Sequence, residues 1–91
     1  MFDILAHLFN MKKIVCDYTI VGKENYDKFT AYCAQFGLSG KTICMFNIPW
    51  MPKQQWTIEV TMPNRGVRNK FNSIMEDEKI TADISEWEYT M

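Results

Sequence analysis

The chain has 91 residues, 47% hydrophobic and 14% aromatic, with ten basic and eleven acidic side chains for a formal net charge of -1. That length fits one domain with one core, and the apolar content excludes an intrinsically disordered chain. The near-neutral total excludes the overall basic field of a phosphate-backbone binder.

The charges are nevertheless unevenly spread. Residues 1–75 hold nine basic and five acidic groups, whereas residues 76–91 hold one basic and six acidic. An acidic end of this kind lies solvated, repels nucleic acid, or covers a basic surface within the fold. The three cysteines, Cys16, Cys33 and Cys44, form no CxxC pair. Their odd number and their place within apolar runs fit buried thiols in a reducing, cytoplasmic compartment, with no metal or redox role. No run reaches the roughly 20 apolar residues that span a bilayer. The first residues lack the basic start of a secretory signal, so no membrane association is expected.

Residues 1–11 read as an N-terminal amphipathic segment, with residues 12–91 as the domain proper. Phe2, Leu5 and Phe9 fall near one face of a short helix, with Leu8 and Ile4 beside them. So short a helix needs a cover: the domain's own open surface, a second subunit or another protein, or, least in keeping with its lack of a basic polar face, a membrane surface. Phe2, Leu5 and Phe9 are the candidates for self-association in a homodimer. Lys13–Val21 alternates as a strand, with Ile14, Cys16, Tyr18 and Ile20 on one face. Glu24–Phe36 carries Tyr26, Phe29, Cys33 and Phe36 at helical spacing, and Gly37 supplies its stop. Lys41–Ile48 is a dense apolar strand. Pro49-Trp50-Met51-Pro52 is a stiff connection into a third strand, Gln55–Met62. Asn64 is placed to cap a second helix with Val67, Phe71, Ile74 and Met75 as its apolar stripe. Ile80–Tyr89 is the last strand. Its apolar parity switches at Trp87, which requires either a bulge or an outward-facing ring.

This order, strand–helix–strand–strand–helix–strand, resembles the ferredoxin-like sandwich over roughly residues 12–90. The resemblance implies an α+β fold with two helices on one face of a four-stranded antiparallel sheet in the order 4-1-3-2. That fold hosts many functions. FTAYCAQFGLSGKT, Phe29 to Thr42, resembles the first helix and turn of acylphosphatases. Their phosphate cradle follows strand one with several glycines and an arginine. Here that stretch is Val21-Gly22-Lys23-Glu24-Asn25-Tyr26, with one glycine and an acid. A sheet-surface RNA binder of the RRM type would need rings on the outer face of its central strands. The corresponding positions are Val15, Asp17, Thr19, Thr57, Glu59 and Thr61.

His7, the single imidazole, has no local partner for a nucleophilic triad. Asp17 and Glu59 are expected on one sheet face, where two carboxylates alone make a weak cation site. Arg65, Arg68 and Lys70 crowd the start of the second helix, and Glu76, Asp77 and Glu78 its end. Both placements oppose the helix dipole, which leaves the cations to pair internally, remain solvated, or read an anion or acidic partner surface. Trp50 and Met51, held between prolines, suit apolar interface anchors. The expected function is a non-enzymatic protein-binding module, an inhibitor or adaptor of a larger partner, with no cofactor. Its scale suits a small phage or accessory protein. Protein-binding residues would be Trp50, Met51, Arg65, Arg68 and Lys70. The alternatives are nucleic-acid binding through the Arg65–Lys70 cluster and an acylphosphatase-like phosphate-handling enzyme.

Overall fold

The structure is a computed structural model and describes residues 12–46 and 53–90. In chain order the elements are β1 (Lys12–Val21), α1 (Lys23–Phe36), β2 (Gly40–Phe46), β3 (Gln55–Met62), α2 (Arg65–Asp77) and β4 (Asp83–Thr90). The strands form one sheet in the order β2-β3-β1-β4. Every neighbouring pair is antiparallel. This is the ferredoxin-like βαββαβ sandwich expected from the order of apolar runs.

The register explains which residues become core. Ile14, Cys16, Tyr18 and Ile20 of β1 stand opposite Met62, Val60, Ile58 and Trp56 of β3. All eight are buried. Each helix turns its apolar stripe onto this face. Phe29 of α1 and Phe71 of α2 meet at 5.6 Å between ring centroids, and both contact Tyr18, at 5.1 and 5.5 Å. Both helices therefore cover the same side of the sheet. The buried Tyr18 hydroxyl donates to Asn72 Oδ1 at 2.5 Å, which meets the hydrogen-bonding demand of a phenol in the core. Burial holds that phenol well above its usual titration range and pushes the Cys16 thiol up. It pushes the Cys33 thiol up to about 11, so both buried cysteines behave as apolar side chains.

The helix ends follow local chemistry. Gly37 takes the left-handed conformation (φ 69°), and the Leu38 N–H closes onto the Cys33 carbonyl at 2.8 Å. Asn64 caps α2 by accepting from the Val67 N–H at 2.9 Å.

Several boundaries differ from the sequence reading by one residue, and the start of the last strand by three. The last strand begins at Asp83, not Ile80. Lys79 turns left-handed (φ 53°), and the Ile80 N–H donates to the Met75 carbonyl at 3.0 Å. Ile80 is thus buried by the end of α2 rather than by the sheet. The second strand is Gly40–Phe46; the remainder of its predicted range, 47–48, lies outside the described residues, as does the predicted N-terminal helix. The parity switch at Trp87 is no bulge. The β1–β4 register runs unbroken and pairs Trp87 with Val15, placing the ring on the sheet's outer face.

Candidate functional site

The charged cluster comes first, because sequence pattern favoured it. The same parity that turns Trp87 outward turns Glu86 and Glu88 toward the helices, opposite Cys16 and Ile14. There they meet the cations of α2. Arg65 pairs with Glu88 at 2.6 Å, and Arg68 pairs with Glu86. The Arg68 side chain is only 18% exposed, and its Nε is buried without a hydrogen-bond partner. The acidic end of the chain thus covers a basic surface within the fold. Lys70 remains exposed on α2. At the other end of α2, Glu78 accepts from the Tyr32 hydroxyl, which holds that phenol above its usual range. The placements that oppose the dipole of α2 are offset by partners on β4 and α1.

The phosphate-cradle stretch is internally satisfied. The Gly22 N–H donates to the Gln54 carbonyl at 2.9 Å, and the Tyr26 N–H donates to the Gly22 carbonyl at 3.0 Å. Lys23 pairs with Asp27 at 2.6 Å. Among the described residues, no group of three or more His, Cys, Asp or Glu side chains is placed to hold a metal ion.

The outer sheet face carries no helix among the described residues. Its central row is Lys41, Glu59, Asp17 and Ser85, read from β2 across to β4. Asp17 and Glu59 therefore stand directly opposite, as their spacing implied. Burial, and then the Glu59 charge, raise the Asp17 carboxyl above its ordinary range. Asp17 Oδ1 has no hydrogen-bond partner. Beside this row Val15 is buried and Trp87 is 41% exposed.

The feature that sequence reasoning missed is β2. It lies at the sheet edge, paired only with β3. Ile43, Met45 and Phe46 are 46%, 59% and 49% exposed. A bulge sits between Thr42 and Cys44, so Ile43 and Cys44 together stand opposite Thr57. On the helix side α1 stops short of β2 and leaves a groove of about 230 Å³, lined by Tyr26, Phe29, Cys33, Leu38, Thr42 and Ile58. The lining side chains carry no formal charge. A run such as Thr-Ile-Cys-Met-Phe reads equally well as a strand buried on both faces. The 4-1-3-2 order, which puts the second strand at an edge, was the available signal against that reading.

Of the other expected site residues, Trp50 and Met51, and Phe2, Leu5 and Phe9, lie outside the described residues, as does His7. No helix among the described residues is long and apolar enough to cross a membrane.

No protein-family model matches the chain, and no curated protein matches it. Among solved structures it is similar to a de novo designed protein, Foldit4, at 6% identity and a TM-score of 0.49, over 87% of this chain and 98% of that one.

Proposed function

We propose that this chain is a non-enzymatic, cytoplasmic protein-binding module that inhibits or adapts a larger partner by covering part of its surface with the outer face of the sheet. The observation that carries this reading is Trp87, a large ring 41% exposed on a sheet face that no described helix covers. Rigid aromatic side chains are efficient anchors because little conformational entropy is lost when they are fixed. Trp50 and Met51, in the β2–β3 connection, are proposed as further apolar anchors.

The charge chemistry of the partner changes with the geometry. Arg65 and Arg68 are held by Glu88 and Glu86, so of the proposed charge readers Lys70 alone stands without a described ion pair. Among side chains that are described, the outer face instead offers Asp17, Glu59 and Asp83 against Lys41, and the register puts Lys13 on the same face. It fits a partner that brings basic groups, one of which would give Asp17 Oδ1 its missing donor. The same acids oppose a nucleic-acid backbone, and the paired arginines weaken that reading further.

The test is capture of a partner from host lysate by wild-type and Trp87→Ala protein. Loss of a full ring contact weakens a true interface about tenfold or more while the circular dichroism spectrum stays native. An unchanged partner set would remove the outer face from consideration. Retention on bulk RNA or DNA at low salt, lost steeply as salt rises, would favour the nucleic-acid reading instead.

A further inference from the structure

We propose that two copies of this chain join β2 to β2 about a two-fold axis perpendicular to the sheet. They form one continuous sheet in which Met45 of each copy enters the α1–β2 groove of the other. This surface lies at the edge of the sheet, apart from Trp87, and the inference goes beyond the reading above without depending on it.

Among the described residues β2 pairs with β3 on one side only, and no described strand pairs with the backbone groups on its other side. Proteins usually protect such an edge with charge, proline or a bulge. Here the bulge at Ile43–Cys44 and the one charge of Lys41 are the edge's protection, and the strand still presents Ile43, Met45 and Phe46, all about half exposed or more.

The bulge makes the register possible. Gly40, Thr42 and Met45 stand opposite the core residues Val60, Ile58 and Trp56, on the helix side. Lys41, Cys44 and Phe46 stand opposite Glu59, Thr57 and Gln55, on the outer side. A perpendicular two-fold axis preserves faces, so inner residues must meet inner residues. In an unbulged strand that condition puts the axis through a residue. The extra residue here also permits an axis between Ile43 and Cys44, the register that brings Met45 to the groove. Thr42 then meets Met45 of the second copy, Lys41 meets Phe46, and Ile43 meets Cys44. An axis through Met45 would keep faces matched but set the two Met45 side chains against each other. An axis through Ile43 or Cys44 would instead set inner against outer residues. An axis through Lys41 would place like charges together.

This register also names the occupant. The groove is apolar, its lining carries no formal charge, and Thr42 lies on its wall. The residue that arrives opposite Thr42 is Met45, 59% exposed in the single chain and flexible enough to fill an irregular gap. Groove and plug lie three residues apart on one strand, which is the self-complementarity an isologous contact requires. The Lys41 ammonium would lie beside a ring, not beside another cation.

Cys44 provides a probe already in the chain. Each Cys44 stands opposite Ile43 of the second copy, so the two Cys44 Cα atoms face each other diagonally across the axis, about 6 Å apart, within the range that a disulfide spans. Cys16 and Cys33 are buried and Cys44 is half-buried. Copper(II)-phenanthroline with dissolved oxygen as oxidant should convert the two Cys44 thiols to one disulfide. The product would be a covalent dimer, absent in Cys44→Ser. Sedimentation of the full chain should show a concentration-dependent dimer that Met45→Lys weakens roughly a hundredfold or more, because two contacts are lost per dimer. Met45→Lys lies on an exposed position, so its thermal transition at low concentration should match wild type. The proposal is overturned by a monomer at every concentration, which leaves the edge to another protein's strand. It is equally overturned by a dimer that ignores Met45→Lys and yields no Cys44 cross-link, as association through Phe2, Leu5 and Phe9 would.

Discussion

The two edges of this sheet are finished in opposite ways. At β4 the inward-facing glutamates are met by Arg65 and Arg68 from α2, and among its described side chains the strand otherwise exposes Asp83, Ser85 and the Trp87 ring. At β2 the helix side is an apolar groove and the strand itself is apolar and exposed. The difference arises from what each helix carries toward its edge. α2 has long cationic side chains that span the gap to β4. α1 turns its aromatic stripe to β3 and β1, with Tyr26 against Trp56 at 4.5 Å, and its lysines pair within the helix, with Asp27 and Glu24. An edge lined with paired charges is protected from further pairing, whereas one that shows mostly apolar side chains beside a single lysine is open to it.

The comparison can be broken at three levels, beginning with the shared core. Phe71 touches Tyr18, Phe29 and Phe36. Phe71→Ala should cost about 3–5 kcal/mol in denaturant titration. Because both helices lose their common contact, hydrogen exchange should accelerate at β2 and β4 alike. Gly40→Ala acts at one edge. A methyl at Gly40 would meet Ile58 Cγ2 at 2.8 Å, and Ile58 is itself buried. The expected cost is about 1–3 kcal/mol, with exchange accelerating at β2 and remaining slow at β4. Equal acceleration at both edges would mean that they unfold as one unit.

Much of this asymmetry was legible in the sequence, and the part that was not has a physical cause. Alternation in β1 and β3 identified the inner face residue by residue, because each residue pair faces either core or outside. Gly37 and Asn64 marked helix ends through their own backbone chemistry. The parity switch at Trp87 left a bulge or an outward ring open, and the unbroken β1–β4 register decides for the ring. That register also turns Glu86 and Glu88 inward, but their partners lie 18 and 23 residues away in sequence, and only the packing of α2 over β4 brings them together. The apolar edge escaped for the same reason. Ile43, Met45 and Phe46 have the composition of a buried strand, and their exposure follows from strand order and from how far α1 reaches. Ile80 shows the converse: its apolar character was assigned to the sheet, yet a left-handed Lys79 delivers it to the end of α2.

At the β4 edge, Arg68→Ala should cost about 1–2 kcal/mol, combining a lost charge-assisted hydrogen bond with lost packing of the arginine stem. A double-mutant cycle with Glu86→Ala should return a coupling of about 1 kcal/mol, reduced for partial exposure. Zero coupling would mean that the stem, not the ion pair, protects this edge.

The smallest effect is expected midway between the edges, at Asp17. Its carboxyl titrates above the ordinary value in the folded chain because of burial and then the Glu59 charge. The folded state therefore holds this proton to higher pH than the unfolded state does. Between the unfolded value, near 3.8, and the raised folded one, stability should fall as pH rises. The penalty then persists at neutral pH. Asp17→Asn removes the charge and keeps the size, so it should stabilise the protein at neutral pH, within about 0.5 kcal/mol. Its advantage should vanish below the unfolded value, where the wild-type carboxyl is neutral in both states. A variant less stable than wild type at neutral pH would show that the ionised Asp17 has a donor in solution and that the like-charge pair with Glu59 is not what sets its titration.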